Sequence, residues 1–258
     1  MGEALIELTS THDDLDARLV EPLRRQREAW EARPAVRALY ADWYAMIVAR
    51  MAEPPGDSIE LGCGIGTFKE LCPQVVATDV APTPWADRVA DAERLPVADA
   101  SVANLVMTDV LHHLPSPALL FDEAERVLRL GGRLVAVEPY CSLLSGFAYR
   151  RFHREGADPG VDPFAEAPQS SADPLDANNA LPTLIFWRHL QRFRERWPAL
   201  VPVERRRFAY LAYPLSGGFE GRRLAPDLVV GALRRIEPAL APLAPLAAFR
   251  CLVVLERR

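Results

Sequence analysis

The spacing of hydrophobic and polar positions divides this chain into three regions. Residues 12–52 have the pattern of two helices, in the stretches DDLDARLVEPLRRQREAWEA and PAVRALYADWYAMIVARM. Pro34 suits the start of the second helix, because the first helical position needs no backbone N–H. The stretch AEPPGD then breaks the pattern. We therefore predict a helical N-terminal region that ends near residue 53.

Short apolar runs alternate with polar connections between residues 58 and 139. The runs are SIEL, VVATDV, RVADAE, ANLVMTDV and GGRLVAVEP. The segment SPALLFDEAERVLRL repeats its apolar residues at helical spacing, with Ser116 as the expected N-cap and Gly131 as the expected stop. Strands that alternate with helices predict βαβ units and a parallel sheet.

The pattern changes again after Pro139. Residues 140–200 are rich in Pro, Asp, aromatic and Arg residues, and ALPTLIFWRHLQRFRERW predicts a helix there. The stretches RRRFAYLAYPL and FRCLVVLER predict the last two strands. We predict a helical lid over residues 1–53, a sheet core over 54–139 and 201–258, and an inserted substrate cap over 140–200.

A glycine-rich turn follows the first predicted strand. Gly62, Gly64 and Gly66 permit a tight turn and let a ligand approach the backbone closely. A dinucleotide fingerprint would place its third glycine at Thr67. Glu60 is also unfavourable for a pyrophosphate at this helix start and favourable for a ligand that carries an ammonium group.

Five segments in order resemble motifs of the class I S-adenosylmethionine (SAM)-dependent methyltransferases, type 11-like members in particular. They are IELGCGIG, VVATDV, ADAERLPVADASV, NLVMTDVLHHL and RVLRLGGRLVAVEP. The resemblance implies an α/β fold with a Rossmann-like, doubly wound, seven-stranded sheet whose last strand is antiparallel. It also implies SAM as the cofactor, at the carboxyl ends of the first strands.

The same resemblance implies which residues contact SAM. Asp79 would hold the ribose hydroxyls, Asp91 would accept a hydrogen bond from the adenine amino group, and Asp109 would lie near the methionine end. The full set of expected cofactor residues is Glu60, Gly62, Cys63, Gly64, Gly66, Asp79, Val80, Asp91, Ala92, Glu93, Thr108, Asp109 and Leu111.

The chain departs from the family pattern at two places. The segment APTPWAD is short and contains Pro82 and Pro84, so the usual helix between strands two and three should be reduced to a turn. This change leaves Trp85 either as part of the adenine pocket or on the surface. Asn104 also stands where many members carry Asp.

Methyl transfer from SAM is an in-line displacement, and a hydroxyl acceptor also needs a base. The candidate catalytic residues are His113, His153, Glu155 and Tyr140. His113 follows the fourth strand, where it would act as a base or only cap the strand end. The pattern HxExxD, with Asp158 as its last residue, offers a base oriented by a carboxylate, a set of metal ligands or a solvated loop. We expect no metal.

Several side chains in the cap region and the N-terminal helices have two readings as well. Asp176, Asn178 and Asn179 would bind a polar acceptor or cap the next helix. Tyr40 on the second N-terminal helix would close over SAM or pack against the sheet.

Charge and composition narrow the partners. The net charge of −5 divides into −10 for residues 1–149 and +5 for residues 150–258, which suits either an anionic acceptor or solvated helix faces. The acidic whole argues against nucleic acid. Four scattered cysteines, no signal-peptide pattern and no long apolar run favour a cytoplasmic protein without a membrane span.

The function that these observations favour is methyl transfer from SAM to O or N of a small molecule, as in natural-product biosynthesis. Methylation of a lipid or polysaccharide precursor is a second possibility, for which the basic second half is an argument. A SAM-binding protein with non-methylating chemistry and a nicotinamide oxidoreductase are two more. A homodimer is compatible with the sequence, which does not identify the acceptor.

Overall fold

Two N-terminal helices precede the sheet. The computed structural model describes residues 9–53, 57–152, 155–165, 177–219 and 221–258. Helix α1 spans Thr9–Ala32 and helix α2 spans Pro34–Val48, so both predicted helices are present. Helix α2 buries one face, which includes Tyr40, Trp43 and Ile47. This face packs on one side of the sheet.

The sheet has seven strands in the order β3-β2-β1-β4-β5-β7-β6. The strands are β1 (Ser58–Leu61), β2 (Val76–Asp79), β3 (Arg88–Val89), β4 (Val102–Thr108), β5 (Leu128–Pro139), β6 (Leu200–Phe208) and β7 (Arg250–Arg257). Strands β1 to β5 pair in parallel, and β7 is antiparallel to both β5 and β6. The predicted doubly wound sheet with an antiparallel last strand is therefore confirmed.

The first connections are short. Helix α3 spans Thr67–Leu71, and between β2 and β3 the chain makes only turns, as the prolines there predict. A 3-10 turn at Leu111–His113 follows β4, and helix α4 spans Pro117–Val127.

Of the two details predicted for α4, the stop at Gly131 is wrong, whereas Ser116 does occupy the N-cap position. The helix ends at Val127 and not at Gly131, because Leu128 already pairs with Val102 in the sheet. The Ser116 side chain makes no N-cap hydrogen bond, and the Glu93 carboxylate accepts the Ser116 backbone N–H at 2.9 Å.

The stretch between β5 and β6 differs from the single helix predicted there. Helix α5 (Leu143–Phe152) is followed by α6 (Leu181–Thr183), a π-helical turn (Leu184–Arg188) and α7 (Leu190–Arg196). The break falls at His189, whose φ of −115° and ψ of 27° are not helical. The boundaries of the lid, core and cap remain a prediction.

The C-terminal region also corrects one strand boundary. Strand β6 ends at Phe208 because Ala209 adopts a φ of +59°, and the following residues form α8 (Ala212–Ser216). Helix α9 (Asp227–Ile236), a 3-10 turn (Glu237–Leu243) and α10 (Ala244–Ala247) lead into β7.

Both faces of the sheet are buried. On β4, Leu105 and Met107 face one hydrophobic cluster, while Val106 faces the other. Because β1 to β5 run parallel, their carboxyl ends meet at one edge of the sheet, which is where ligands bind in open α/β sheets. Within the described ranges, no helix combines the length and the apolar character needed to cross a membrane.

Candidate functional site

The glycine turn after β1 is shaped by contacts that exclude side chains. Gly62, Gly64 and Gly66 have φ values of +62°, +52° and +71°. A Cβ at Gly62 would lie 2.6 Å from Val110 Cγ2, and a Cβ at Gly66 would lie 2.7 Å from Trp85 Cβ. Both positions therefore need glycine, and Trp85 forms one wall of the turn.

Glu60 is the unusual group beside this turn. Its side chain is 5% exposed, and its Oε2 has no hydrogen-bond partner in the described part of the chain. Burial raises the pKa of Glu60 to about 8, and the nearby charge of Asp79 acts in the same direction. A buried acceptor without a donor is costly, so the site would be stabilised by a cationic ligand.

Asp79 ends β2 and is held by backbone donors. Its Oδ2 accepts the Gly64 N–H at 2.8 Å, and its Oδ1 accepts the Ala81 N–H at 3.0 Å. Burial raises the pKa of Asp79, and these hydrogen bonds oppose the increase. The carboxylate predicted to hold the ribose is thus fixed against the glycine turn. Cys63 lies within the turn and is buried, and Val80 beyond β2 is half exposed.

The residues predicted for the adenine end lie in one short segment. Asp91 is exposed, and its Oδ1 accepts the Glu93 N–H at 2.8 Å. Ala92 is buried, and the Glu93 side chain is occupied by its bond to the α4 start. The hydrogen bond from the Ser116 backbone N–H to the Glu93 carboxylate thus connects this segment to the start of α4.

Asp109 links three elements at the end of β4. It follows Thr108 with a φ of +61°, and its Oδ2 accepts the Tyr40 hydroxyl at 3.1 Å. Its Oδ1 pairs with the Arg250 guanidinium, which is 2% exposed. Helix α2 therefore reaches the site through Tyr40. Arg250 was not predicted from the sequence, although a charged residue at the start of the apolar strand FRCLVVLER was a signal.

Glu138 organises the turn that carries both histidines. It is fully buried near the end of β5, and its Oε1 accepts the N–H groups of Val110 and Leu111 at 2.8 and 2.9 Å. Its Oε2 lies 2.8 Å from His112 Nδ1. The buried Leu111 and the two histidines are thereby held at the carboxyl edge of the sheet.

His112 and His113 share a second carboxylate, Glu155. His112 Nε2 lies 3.5 Å from Glu155 Oε2, and His113 Nε2 lies 3.7 Å from Glu155 Oε1. Burial alone would lower the pKa of His112, but hydrogen bonds to Glu138 and Glu155 outweigh it and raise the pKa to about 10. Burial and the neighbouring His112 lower the pKa of His113. At neutral pH His112 is therefore a cation and His113 is neutral.

The HxExxD pattern lies partly outside the described residues and stays a prediction. His153 lies outside the described residues, as does Asp176. Asp158 Oδ1 accepts the Gly160 N–H in its own loop at 2.8 Å. Glu155 instead meets the two histidines of the β4 turn. Their ligand atoms lie within 4.8 Å of one another, a set that would also admit a metal ion.

The two asparagines of the cap region hold loops together. Asn178 Oδ1 accepts the N–H groups of Asp158 and Ala180 at 2.9 and 3.1 Å. The Asn178 N–H donates to the His112 carbonyl at 2.8 Å. Asn179 Nδ2 donates to the Glu155 carbonyl at 3.0 Å. These contacts position the loop that carries Glu155.

Tyr140 lies just beyond β5 and faces a different space. Its ring is 5% exposed, and its hydroxyl accepts a hydrogen bond from Arg207 Nη1 at 3.2 Å. It lines a cavity of about 310 Å³ whose lining, among the described residues, does not include His113. Its predicted catalytic role remains a prediction.

Comparison with known proteins gives one family match and several relatives. The model of the methyltransferase domain family matches residues 59–136. A malonyl-[acyl-carrier protein] O-methyltransferase from Hahella chejuensis is 36% identical over 128 residues, which cover 42% of this chain and 43% of that protein. An uncharacterized 37.1 kDa protein in transposon TN4556 of Streptomyces fradiae is 31% identical over 165 residues, which cover 54% and 48%. The chain spans about half the length of the curated relatives that it matches.

Solved structures agree on the fold. A SAM-dependent methyltransferase from Archaeoglobus fulgidus superimposes with a TM-score of 0.52 at 14% identity, over 86% of this chain and 94% of that one. The strand order, the antiparallel last strand and the matched domain agree with the motifs read from the sequence. Residues 59–136 therefore match a methyltransferase domain, and the chain has the fold of the class I SAM-dependent methyltransferases.

Proposed function

We propose that this protein transfers the methyl group of SAM to an oxygen or nitrogen of a small-molecule acceptor. The observation that supports this most directly is the juxtaposition of two groups at one sheet edge. β1 carries the buried Glu60 without a partner for its Oε2 in the described part of the chain, and the neighbouring β4 leads to a neutral His113. A Cβ at Gly62 would collide with Val110, so the glycine turn and the histidine turn are adjacent.

The cofactor end is assigned to the glycine turn. Glu60 would receive the ammonium group of the methionine moiety, and Asp79 would receive the ribose hydroxyls. SAM supplies a methyl group on a cationic sulfur. Neither Glu60 nor Asp79 needs to move a proton in the transfer itself, since their task is to bind and orient.

The acceptor end is assigned to His113 with Glu155 as its positioning residue. A hydroxyl or amine acceptor would have to lose a proton when it receives the methyl group that SAM would supply. A neutral imidazole can take that proton, and the carboxylate of Glu155 3.7 Å away stabilises the resulting cation. An acceptor carboxylate would need no base. The O-methyltransferase from Hahella chejuensis supports oxygen as the methylated atom.

Two alternative functions differ from this proposal in the acceptor or in the reaction. A lipid or polysaccharide precursor is an alternative acceptor, for which the excess of arginine in residues 150–258 is an argument. A SAM-binding protein with non-methylating chemistry would bind the cofactor and transfer no methyl group.

The test uses SAM with an isotope-labelled methyl group, incubated with the full chain and with fractionated small molecules, lipids and cell-wall precursors. A labelled product in the small-molecule fraction supports the proposal. Label found only in the lipid or polymer fraction would favour the lipid or polysaccharide acceptor. SAM binding with no labelled product in any fraction would contradict methyl transfer.

Variants then test the assigned residues. We expect His113→Gln to lower kcat by about 10²- to 10⁴-fold, the range for loss of a general base, while SAM affinity stays the same. His189→Gln at the start of α7 is the matched control. An unchanged kcat in His113→Gln would remove the base from the mechanism.

A further inference from the structure

The cavity behind Tyr140 lies between α5, the π-helical turn and α10. Its volume is about 310 Å³, within the range of small-molecule sites. It is lined by Tyr140, Cys141, Ser142, Leu143, Gly146, Arg150, Ala157, Pro159, Ala180, Thr183, Leu184, Trp187, Arg188 and Pro245. This set combines two cations with apolar walls and contains no carboxylate among the described residues.

The two cations of the cavity are Arg150 and Arg188. Both are exposed, and neither makes an ion pair within the ranges that the structure describes. Both lie close enough to the Cys141 thiol that their charges oppose the effect of burial, which raises the pKa of Cys141 to about 11. The charges of Arg150 and Arg188 therefore make the electrostatic potential at this wall of the cavity positive.

Two further arginines stand behind the aromatic wall. The rings of Tyr140 and Trp187 meet edge to face with centroids 5.0 Å apart. The Arg207 guanidinium lies 5.6 Å from the Tyr140 centroid, and the Arg205 guanidinium lies 5.7 Å from the Trp187 centroid. Both arginines come from β6 and contact the two aromatic rings without lining the cavity itself.

The π-helical turn contributes three of the lining residues. The His189 N–H donates to the Leu184 carbonyl at 2.8 Å, which is the five-residue bond of a π-helix. Leu184, Trp187 and Arg188 of this turn all face the cavity. Such turns occur mostly as single bulges and frequently at functional sites.

We propose that this cavity binds a small organic anion with an apolar or aromatic body, and that this anion is the charged end of the methyl acceptor. The arginines recognise a carboxylate or a phosphate, and Leu143, Leu184 and Pro245 take the apolar body. The assignment to the acceptor rests on the proposed function. It is supported by the loops that the cavity shares with the base.

The shared loops connect the cavity with the His113 turn. Ala157 lines the cavity two residues after Glu155, which lies 3.7 Å from His113 Nε2. Ala180 lines it two residues after Asn178, whose N–H donates to the His112 carbonyl. The cavity wall and the surroundings of the base are therefore built from the same two loops.

The test is calorimetry on the full chain, with and without saturating S-adenosylhomocysteine (SAH). The probes are 4-hydroxybenzoate, its neutral counterpart 4-hydroxybenzamide, and 4-hydroxyphenyl phosphate, which has the same ring. We expect both anions to bind more tightly than the amide, with an affinity that falls as salt rises. The stronger of the two anions identifies the carboxylate or the phosphate class.

The variant Arg150→Gln/Arg188→Gln should weaken binding of the anions at least tenfold and leave SAH binding unchanged. The matched control is Arg24→Gln/Arg235→Gln, which removes two exposed arginines on α1 and α9. Equal anion affinity in the two double variants would overturn the proposal, as would an amide that binds as tightly as the benzoate or anions that do not bind.

SAH separates this proposal from the function on which it rests. A chain that binds the anions but not SAH would overturn the proposed methyl transfer and support the anion site. A chain that binds SAH but neither anion would leave the proposed function standing and overturn the anion site.

Discussion

Binding of the cofactor should release a proton from Glu60. The pKa of this buried carboxyl group in the free protein is about 8, so at pH 7 only about a tenth of it is ionised. An ammonium group bound beside it favours the ionised form. Association at pH 7 should therefore release about 0.9 proton per ligand.

The magnitude follows from the size of this pKa. Below pH 8, the free energy needed to ionise Glu60 rises by about 1.4 kcal/mol for each pH unit. Because Glu60 must be ionised in the complex, the affinity falls about tenfold for each pH unit. The Kd for SAH should therefore fall about tenfold between pH 6 and pH 7. Above pH 8 Glu60 is already ionised in the free protein, so the gain in affinity should stop there.

Calorimetry measures both quantities. Titration of SAH in phosphate and in Tris, which have different heats of ionisation, gives the number of protons released. The variant Glu60→Gln should abolish the proton release and the pH dependence, while Glu125→Gln on α4 should retain both. A Kd that is constant from pH 6 to pH 7, with no effect of buffer, would refute the pairing of Glu60 with the ammonium group.

Three more outcomes follow from the contacts at the sheet edge. Asp109→Asn leaves the buried Arg250 guanidinium without its counter-charge and should lower the free energy of unfolding by about 2 kcal/mol. This value is below that of a fully buried pair because Asp109 is partly exposed. Urea denaturation measures the free energy of unfolding, and no measurable decrease would contradict the prediction. The proposed base His113 must be neutral and its pKa is lowered, so kcat/KM for the acceptor, measured at saturating SAM so that the Glu60 effect on cofactor binding does not contribute, should fall with decreasing pH only below about 6.5, the ordinary histidine value. A fall that begins above about 6.5 under these conditions would exclude His113 as the base. Glu138→Gln should lower the pKa of His112 from about 10, because it removes the carboxylate that lies 2.8 Å from the ring. NMR titration of the imidazole ring measures this pKa, and an unchanged value would contradict the prediction.

The local sequence pattern was sufficient for the sheet and for the glycine turn. The alternation of SIEL, VVATDV and ANLVMTDV with helical segments depends on burial on both faces, and a parallel sheet needs such runs. The glycines of the turn are required by contacts with Val110 and Trp85, but their spacing alone already predicted a close backbone bend. Pattern and structure agree here because the forces are local.

Pairings between distant segments were not visible in the sequence. HxExxD suggested that Glu155 would act with its neighbours, whereas in the fold it meets His112 and His113 across more than forty residues. The ending of α4 at Val127 was also missed, because sheet pairing of Leu128 overrides its helical spacing. Such contacts depend on the order of strands, which brings the β4 turn beneath the loop after β5.

Four acids at the carboxyl edge of the sheet differ in what occupies their oxygens. Asp79 is bonded to backbone N–H groups, Asp109 to Tyr40 and Arg250, and Glu138 to backbone N–H groups and His112. Among these four, only Glu60 keeps an oxygen without a partner in the described part of the chain. Three carboxylates therefore shape the site, and the fourth remains available for charge that a ligand brings. This difference explains why we assign the ammonium group of SAM to Glu60 and not to the more exposed Asp109.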